Sequence, residues 1–283
     1  MNRKQALDKA CFLLREQAKE ESLAKFLLMY MLDENFTTFN NNLTKELSFE
    51  EEKKYFSLID EHIKCDKPLS HLIGFDYFYD RKFYVNENVL SPRMETEELV
   101  YKVINYIEKN NLDNFKILDL CTGSGIIAIT LKKELESKNK NVKIYASDIS
   151  NLALNVAQKN AENLQADVTF IQSDLFNEIN DNFDIIVSNP PYISYNEKNT
   201  LAKNVLNYDP HLALFATENG LYFYRKIIEE AKNYLTKNGI IFFEIGYNQK
   251  DSIKKLAYEN NFSATIYKDI NGKDRIAQLK NNF

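Results

Sequence analysis

The segment "KILDLCTGSGIIAI", residues 116–129, joins a short apolar run to a turn of small residues and then to a second apolar run. The first run has the length of a buried strand, and "GIIAITLKKEL", residues 125–135, has the pattern of a helix. Gly123 and Gly125 let the backbone pass close to a ligand and present N–H groups at a helix N-terminus. The segment therefore predicts a strand–turn–helix unit with a ligand-binding turn.

This turn matches neither of the common phosphate-binding loops. A dinucleotide-binding GxGxxG loop would have a glycine at the position of Cys121, and a P-loop would continue as Gly-Lys-Ser or Gly-Lys-Thr. Any βαβ turn can carry glycine, so the nature of the ligand has to be inferred from the other strand ends.

Strand and helix patterns alternate after residue 116, which is typical of a parallel α/β sheet. The predicted strands are "KILDL" (116–120), "KIYASD" (143–148), "DVTFIQSD" (167–174), "FDIIVSN" (183–189) and "GIIFFEI" (239–245). Two further helices are predicted at 151–164 and 220–235. The last segment, 262–280, predicts a β-hairpin that turns at Asn271-Gly272.

The chain before residue 74 is predicted to be helical and contains almost no glycine or proline. Ser48 is suited to cap the helix that follows it, because acidic residues occupy the first turn of that helix. The aromatic segment 71–90 predicts a β-hairpin. We therefore predict a helical domain over 1–73, a bridging β-hairpin over 74–90 and an α/β domain over 91–283.

Composition excludes several classes of protein. Hydrophobic residues make up 44% of the 283 residues, which is enough for a core. The 41 acidic residues outnumber the 36 basic ones, which argues against a general nucleic-acid binder. The three cysteines and three histidines are scattered, so neither a disulfide scaffold nor a metal site is expected. Without a signal-peptide pattern or an apolar run near ~18 residues, a cytoplasmic location is expected.

Acidic residues stand at two predicted strand ends. Asp148 ends the second strand, where a carboxylate can accept both hydroxyls of a ribose. Its alternative role is to cap the helix that follows. Asp174 and Leu175 follow the third strand and suit the amino group and ring of an adenine, although a simple turn is the alternative. Ligands of open α/β sheets bind at such strand ends.

The segment "FDIIVSNPPYIS", residues 183–194, ends a buried strand abruptly at two adjacent prolines. One interpretation is a rigid turn with a tyrosine in the core. The other is a binding site in which an amide, two rigid residues and a phenol meet at the mouth of the strand.

The motifs "ILDLCTGSG", "ASDIS", "SDLF" and "SNPPYIS" resemble those of class I S-adenosylmethionine-dependent methyltransferases. The flanking segments "KPLSHLIG", "FYVNENVLSPRMETEELV", "YDPHLALF", "GIIFFEIG" and "DINGKDRIA" resemble the release factor glutamine methyltransferase family. This similarity covers nearly the whole chain. It implies an α/β fold, namely the class I methyltransferase doubly wound sheet with a C-terminal antiparallel hairpin, plus a small N-terminal helical domain joined by a β-hairpin.

The activity implied is methyl transfer from S-adenosyl-L-methionine to the side-chain nitrogen (N5) of the glutamine in the Gly-Gly-Gln motif of class I peptide-chain release factors, which supports translation termination. The implied cofactor-binding residues are Cys121, Thr122, Gly123, Ser124, Gly125, Asp148, Asp174, Leu175 and Asn189. The implied substrate-binding residues are Asn189, Pro190, Pro191 and Tyr192, of which Asn189, Pro190 and Tyr192 are implied to be catalytic.

An amide nitrogen is a poor nucleophile, so alignment of the reacting groups matters more than proton transfer. Our hypothesis is that the Asn189 side-chain oxygen and the Pro190 carbonyl accept the two N–H bonds of the substrate amide. Pro191 would make the loop rigid, and Tyr192 would pack on the flat amide.

Three positions depart from the family pattern. Cys121 stands where many relatives have glycine, and we expect an ordinary φ there. Met94 replaces a proline, and Asp209 replaces a glutamate. The last two lie in segments that resemble substrate-side elements, so they bear on substrate choice.

Three alternatives remain open. The substrate could be a ribosomal-protein glutamine, or adenine in DNA or RNA, although an adenine-N6 enzyme normally needs a basic surface and a base-flipping pocket. A non-catalytic module that retains the fold is the third. We expect the partner to be a release factor recognised through the helical domain, with no nucleic-acid or membrane contact, and the enzyme to be a monomer.

Overall fold

The computed structural model describes residues 1–282 and contains two compact units. The first unit comprises Met1–Phe75 together with Ala202–Tyr208, and the second comprises Asp76–Leu201 and the described residues from Asp209 onward. The sequence did not predict that a late segment would belong to the first unit.

The strands and helices predicted after residue 116 are present, but the helix at Lys250–Glu259 was not predicted. The helices are α1 (Arg3–Glu16), α2 (Ser22–Met31), α3 (Phe36–Asn41), α4 (Phe49–Cys65), α5 (Leu69–Ile73), α6 (Met94–Lys109), α7 (Ile126–Ser137), α8 (Asn151–Leu164), α9 (Lys203–Tyr208), α10 (His211–Leu214), α11 (Thr217–Gly220), α12 (Tyr222–Ala231) and α13 (Lys250–Glu259), with a 3₁₀ helix at Tyr195–Thr200. The strands are β1 (Phe75–Phe78), β2 (Arg81–Tyr84), β3 (Phe115–Leu120), β4 (Val142–Asp148), β5 (Thr169–Gln172), β6 (Phe183–Ser188), β7 (Ile193–Ser194), β8 (Phe215–Ala216), β9 (Leu235–Glu244), β10 (Phe262–Lys268) and β11 (Asp274–Asn281).

Helices α1 to α5 and α9 form the first unit. Ser48 caps α4 in a capping box with Glu51, so that prediction is confirmed. The hydroxyl of the buried Tyr55 on α4 donates to the Ala24 carbonyl of α2 over 2.8 Å. Short helix α9 belongs here through Tyr208, whose hydroxyl donates to the Cys65 carbonyl over 2.8 Å.

A seven-stranded sheet forms the centre of the second unit, in the order β10-β11-β9-β6-β3-β4-β5. Strands β5, β4, β3, β6 and β9 are parallel, whereas β11 runs antiparallel to β9 and β10. The predicted parallel sheet and terminal hairpin are therefore confirmed. Strand β9 begins at Leu235, which was predicted to be helical, because Leu235 pairs with Phe183 of β6.

Both faces of this sheet are covered by apolar side chains. Ile117 of β3 packs with helices α6 and α7 on one face, while its neighbour Leu118 packs with α12 and α13 on the other. Burial on two faces explains why the strands are continuous apolar runs. The order also reverses at β3, which pairs with β4 on one side and with β6 on the other. Such a switch point is where an open α/β sheet binds its ligand, beyond the carboxyl ends of the strands.

The predicted β-hairpin is present as the pair β1–β2. Its turn is formed by Tyr79 and Asp80, with φ values of 52° and 58°. Two successive residues with positive φ match the tight turn that suits the twist of a two-residue hairpin. Within residues 1–282, no helix is long and apolar enough to cross a membrane.

Candidate active site

A cavity of about 220 Å³ opens at the carboxyl ends of β3, β4, β5 and β6. The predicted site residues that line it are Cys121, Thr122, Gly123, Ser124, Asp148, Asp174, Leu175, Asn189 and Pro191. Gly125, Pro190 and Tyr192 are adjacent in sequence but are not among the described residues that line it. Four separate strand ends thus meet at one cavity.

The turn after β3 leaves the strand sharply at Cys121. The φ of this residue is +60°, so the expectation of an ordinary φ is wrong. The turn brings the Thr122 N–H within 2.9 Å of the Ser147 carbonyl on neighbouring strand β4. Burial and the nearby carboxylates, Asp148 first, raise the pKa of the Cys121 thiol. The thiol is therefore neutral and unsuited to act as a nucleophile.

Asp148 lies at the end of β4 and binds the glycine-containing turn. Its Oδ2 accepts from the Gly123 N–H and its Oδ1 from the Ser150 N–H, each over 2.9 Å. Ser150 is the residue that caps α8, accepting from the Ala153 N–H, so the alternative role of Asp148 as that cap is wrong. Burial raises the pKa of Asp148, and the backbone hydrogen bonds oppose the rise.

Asp174 and Leu175 follow β5 and form the adjoining wall of the cavity. The preceding Ser173 ties this strand end to β4, because its N–H donates to the Asp148 carbonyl over 3.0 Å. The Ser173 hydroxyl also donates to the Leu175 carbonyl over 2.8 Å. The segment is therefore a structured turn as well as a cavity wall, and the two interpretations are compatible.

The Asn-Pro-Pro-Tyr turn begins where β6 ends at Ser188. Asn189 faces the cavity and its Nδ2 donates to the hydroxyl of Thr96 over 3.3 Å. Tyr192 is not among the described residues that line the cavity, and its hydroxyl lies 3.4 Å from Oε1 of the buried Glu244. Thr96 and Glu244 were not singled out by sequence reasoning, since neither occurs within a recognisable spacing of Asn189.

The side chain of Gln249 holds the backbone of the same turn through hydrogen bonds at both ends of its amide, and we call this contact the Gln249 clamp. The Gln249 side chain donates to the Tyr192 carbonyl over 3.0 Å and accepts from the Gly246 N–H over 2.9 Å. Gly220 packs against that carbonyl so tightly that a Cβ there would lie 2.1 Å from the Tyr192 oxygen. These contacts join segments distant in sequence, which is why no local pattern revealed them.

Two segments that resemble substrate-side elements, Pro92-Arg93 and Asp209-Pro210, meet at the cavity. The Arg93 guanidinium donates to the buried Asp209 carboxylate over 2.6 Å, and the Ser91 N–H lies 3.4 Å from the same group. Arg93 and Pro210 both line the cavity. Asp209 thus keeps a carboxylate within reach of Arg93, while Met94 is 76% exposed.

Asp119 is a buried carboxylate beneath the turn, one residue before the end of β3. Its Oδ2 accepts from the Thr122 hydroxyl over 2.6 Å and from the Ala128 N–H over 3.2 Å. Among the described atoms its Oδ1 has no hydrogen-bond partner. Burial, with a smaller contribution from Asp148, raises the pKa of Asp119 to about 7.

We expect Asp119→Asn to stabilise the cofactor-free protein in a pH-dependent way. An acid with a raised folded pKa stabilises the fold below its unfolded pKa, and this stability is lost as pH rises through the folded value. The wild type should therefore lose stability between its ordinary value of 3.8 and about 7. Thermal unfolding should show the variant ahead at both pH 5 and pH 8, with an advantage larger at pH 8 by about 1–3 kcal/mol. An equal gain at both values would contradict this account.

This chain is similar to known proteins over most of its length. A model described as the PrmC N-terminal domain matches residues 5–74, and a methyltransferase small domain model matches residues 102–212. The release factor glutamine methyltransferase of Bacillus cereus is 39% identical over 279 residues, covering 96% of each chain. That of Flavobacterium psychrophilum is 46% identical over 226 residues, covering 78% of this chain and 77% of its own. The chain belongs to the release factor glutamine methyltransferase family.

A solved structure of low sequence identity shows the same fold. A methyltransferase from Pyrococcus furiosus aligns with a TM-score of 0.50 at 16% identity, covering 82% of this chain and 97% of its own. The sheet of the second unit is accordingly the class I methyltransferase fold, as the family resemblance implied.

The cofactor of this methyltransferase is S-adenosylmethionine, and the residues at the cavity fit it. Carboxylates at two neighbouring strand ends, Asp148 and Asp174, can accept hydrogen bonds, while Leu175 supplies an apolar wall. Ser124 also lines the cavity, and its buried hydroxyl has no partner among the described residues. Among residues 1–282, no group of three or more histidine, cysteine, aspartate or glutamate side chains could hold a metal ion.

Proposed function

We propose that this enzyme transfers a methyl group from S-adenosylmethionine to the side-chain nitrogen of the glutamine in the Gly-Gly-Gln motif of class I peptide-chain release factors. The observation that carries the proposal is the position of Asn189, which lines the same cavity as Gly123 and Asp148. An amide-recognition group and a nucleoside-binding wall thus share one space. The names of the relatives support this choice of substrate.

Bound S-adenosylmethionine supplies an electrophilic methyl group. The enzyme has to hold the amide nitrogen in line with it, and such orientation can contribute ~7–11 kcal/mol to lowering the barrier. Because the Asn189 Nδ2 donates to Thr96, its Oδ1 is the atom left to accept a substrate N–H. Accepting that N–H favours the positive charge that develops on nitrogen, and the proton then leaves to solvent.

The other proposed roles rest on the family resemblance. We propose that the Pro190 carbonyl accepts the second substrate N–H, that Pro191 keeps the turn rigid and that Tyr192 packs on the amide. Of these three, Pro191 lines the cavity, which supports its place in the site. The side chain of Asn189 is neutral, so prior removal of a substrate proton is not part of the proposal.

The biological setting is also proposed. We propose that residues 1–73 recognise the release factor, residues 74–90 bridge, and residues 91–283 carry out methyl transfer. The enzyme would act in the cytoplasm as a monomer, without nucleic acid or membrane as a partner. The formal net charge of −5 supports a protein substrate over a phosphate backbone.

Mass spectrometry of a release factor incubated with the enzyme and S-adenosylmethionine tests the proposal. We expect one added methyl group on the glutamine of the Gly-Gly-Gln peptide. A ribosomal-protein extract treated in parallel serves as the comparison. An unmodified release factor beside a methylated ribosomal-protein glutamine would overturn the proposed substrate, and transfer to neither would overturn the proposed activity.

A further inference from the structure

Three side chains form a hydrogen-bonded series that leads to the cavity. Glu244 ends strand β9 and is 2% exposed. Its Oε2 accepts from the Thr96 hydroxyl over 2.6 Å, and Thr96, in the first turn of α6, is 1% exposed. The same hydroxyl oxygen lies 3.3 Å from the Nδ2 of Asn189.

We propose that Glu244 and Thr96 are positioning residues that determine which end of the Asn189 amide faces the substrate. The two ends of an asparagine amide have nearly the same shape, so only hydrogen bonding distinguishes them. This inference rests on the proposed function, because it concerns the group that receives the substrate amide.

Donor and acceptor capacity decides the orientation of the Asn189 amide. A carboxylate only accepts hydrogen bonds, and a threonine hydroxyl has one hydrogen to donate. Once Thr96 donates to Glu244, its oxygen can only accept from Asn189. Asn189 must then present its NH₂ group to Thr96, and its Oδ1 is left for the substrate. A reversed amide would place two acceptors face to face and two donors toward the substrate N–H groups.

Several groups around Glu244 bear on its charge. Burial raises the pKa of Glu244, and the charge of Glu95 acts in the same direction. The Thr96 hydroxyl, the Arg275 guanidinium on neighbouring strand β11 and the Tyr192 hydroxyl act in the opposite direction. Two hydroxyl groups thus donate to the carboxylate, and the charge of Arg275 favours its ionised form. A buried charge with such partners is the kind of group that fixes a neighbouring hydrogen bond.

Thr96→Val and Thr96→Ser separate positioning from packing. Valine keeps the shape of threonine but cannot accept from Asn189, whereas serine keeps the hydroxyl. We expect Thr96→Val to lower kcat roughly ten- to hundredfold, the usual effect of removing a partner that orients a reactive group. The KM for S-adenosylmethionine should change little. Thr96→Ser should retain most of the wild-type kcat.

The decisive measurement is the same substitution in an Asn189→Ala background, assayed by methyl transfer to a release factor. If Thr96 acts through Asn189, adding Thr96→Val to Asn189→Ala should cause no further loss of kcat. A full additional loss in the double variant, or wild-type kcat in Thr96→Val, would overturn the inference. Failure of the wild-type enzyme to methylate the release factor would instead refute the proposed function, before any variant is compared.

Discussion

Asn189→Ala is expected to lower kcat for glutamine methylation by about 10²–10³-fold, the range found when one preorganised hydrogen-bonding group is removed at a reacting centre. The substitution removes the Oδ1 atom that we propose accepts a substrate N–H, together with the Nδ2 donor to Thr96. Methyl transfer under saturating cofactor and release factor is the measurement, because a loss in kcat reports orientation and not binding alone.

Asn180→Ala is a matched control for this variant. Asn180 is an exposed asparagine in the connection before β6, and its Nδ2 donates to the nearby Glu178 carbonyl over 3.3 Å. This variant should retain wild-type kcat and melting temperature. Thermal unfolding of Asn189→Ala would show whether it remains folded at the assay temperature. Wild-type turnover by folded Asn189→Ala would refute the assignment.

The strands of the sheet could be predicted from sequence because each is a continuous apolar run buried on both faces. The run at 116–120 and the run at 183–189 became adjacent strands β3 and β6, with Ile117 opposite Ile185. Strand ends were predictable for the same reason. Asp148 ends a buried strand and Asn189 directly follows one, and parallel strands bring their carboxyl ends to one edge.

Features that depend on distant contacts could not be predicted in this way. Thr96 and Glu244 are separated by 148 residues and meet only because α6 packs beside β9. The φ of +60° at Cys121 is set by the turn from β3 toward β4, since the side chain itself has no preference for it. Similarly, Ala202–Tyr208 belongs to the first unit through tertiary contacts and carries no composition that marks it.

The Asn-Pro-Pro-Tyr turn shows which features of a site can be predicted from local sequence and which cannot. Its prolines predicted the end of a strand, and the family resemblance implied a binding role for Asn189. The hydrogen bonds that orient the turn come from Thr96 and Gln249, which lie on two other segments. A local pattern can thus identify a reactive group, while the residues that aim it are found only once the chain is folded.

Gly220→Ala is expected to damage both stability and activity through that same turn. The φ of Gly220 is +85°, and a Cβ there would lie 2.1 Å from the Tyr192 carbonyl oxygen and 2.8 Å from Nε2 of Gln249. Backbone has to move to relieve the first contact. Overpacking of this kind together with a left-handed alanine should cost about 3–5 kcal/mol, which corresponds to a fall of roughly 6–20 °C in melting temperature.

Gly272→Ala separates the clash from the backbone strain. Gly272 has a similar φ of +75°, but a Cβ there would meet nothing within 4 Å. Its substitution should therefore cost only about 1 kcal/mol, the strain of alanine in the left-handed region. Below its melting temperature, Gly220→Ala should also lose kcat, because displacement of the Tyr192 carbonyl moves the turn that carries Asn189. Equal melting temperatures for the two variants would show that the turn can yield without cost, and that the Gln249 clamp does not hold it.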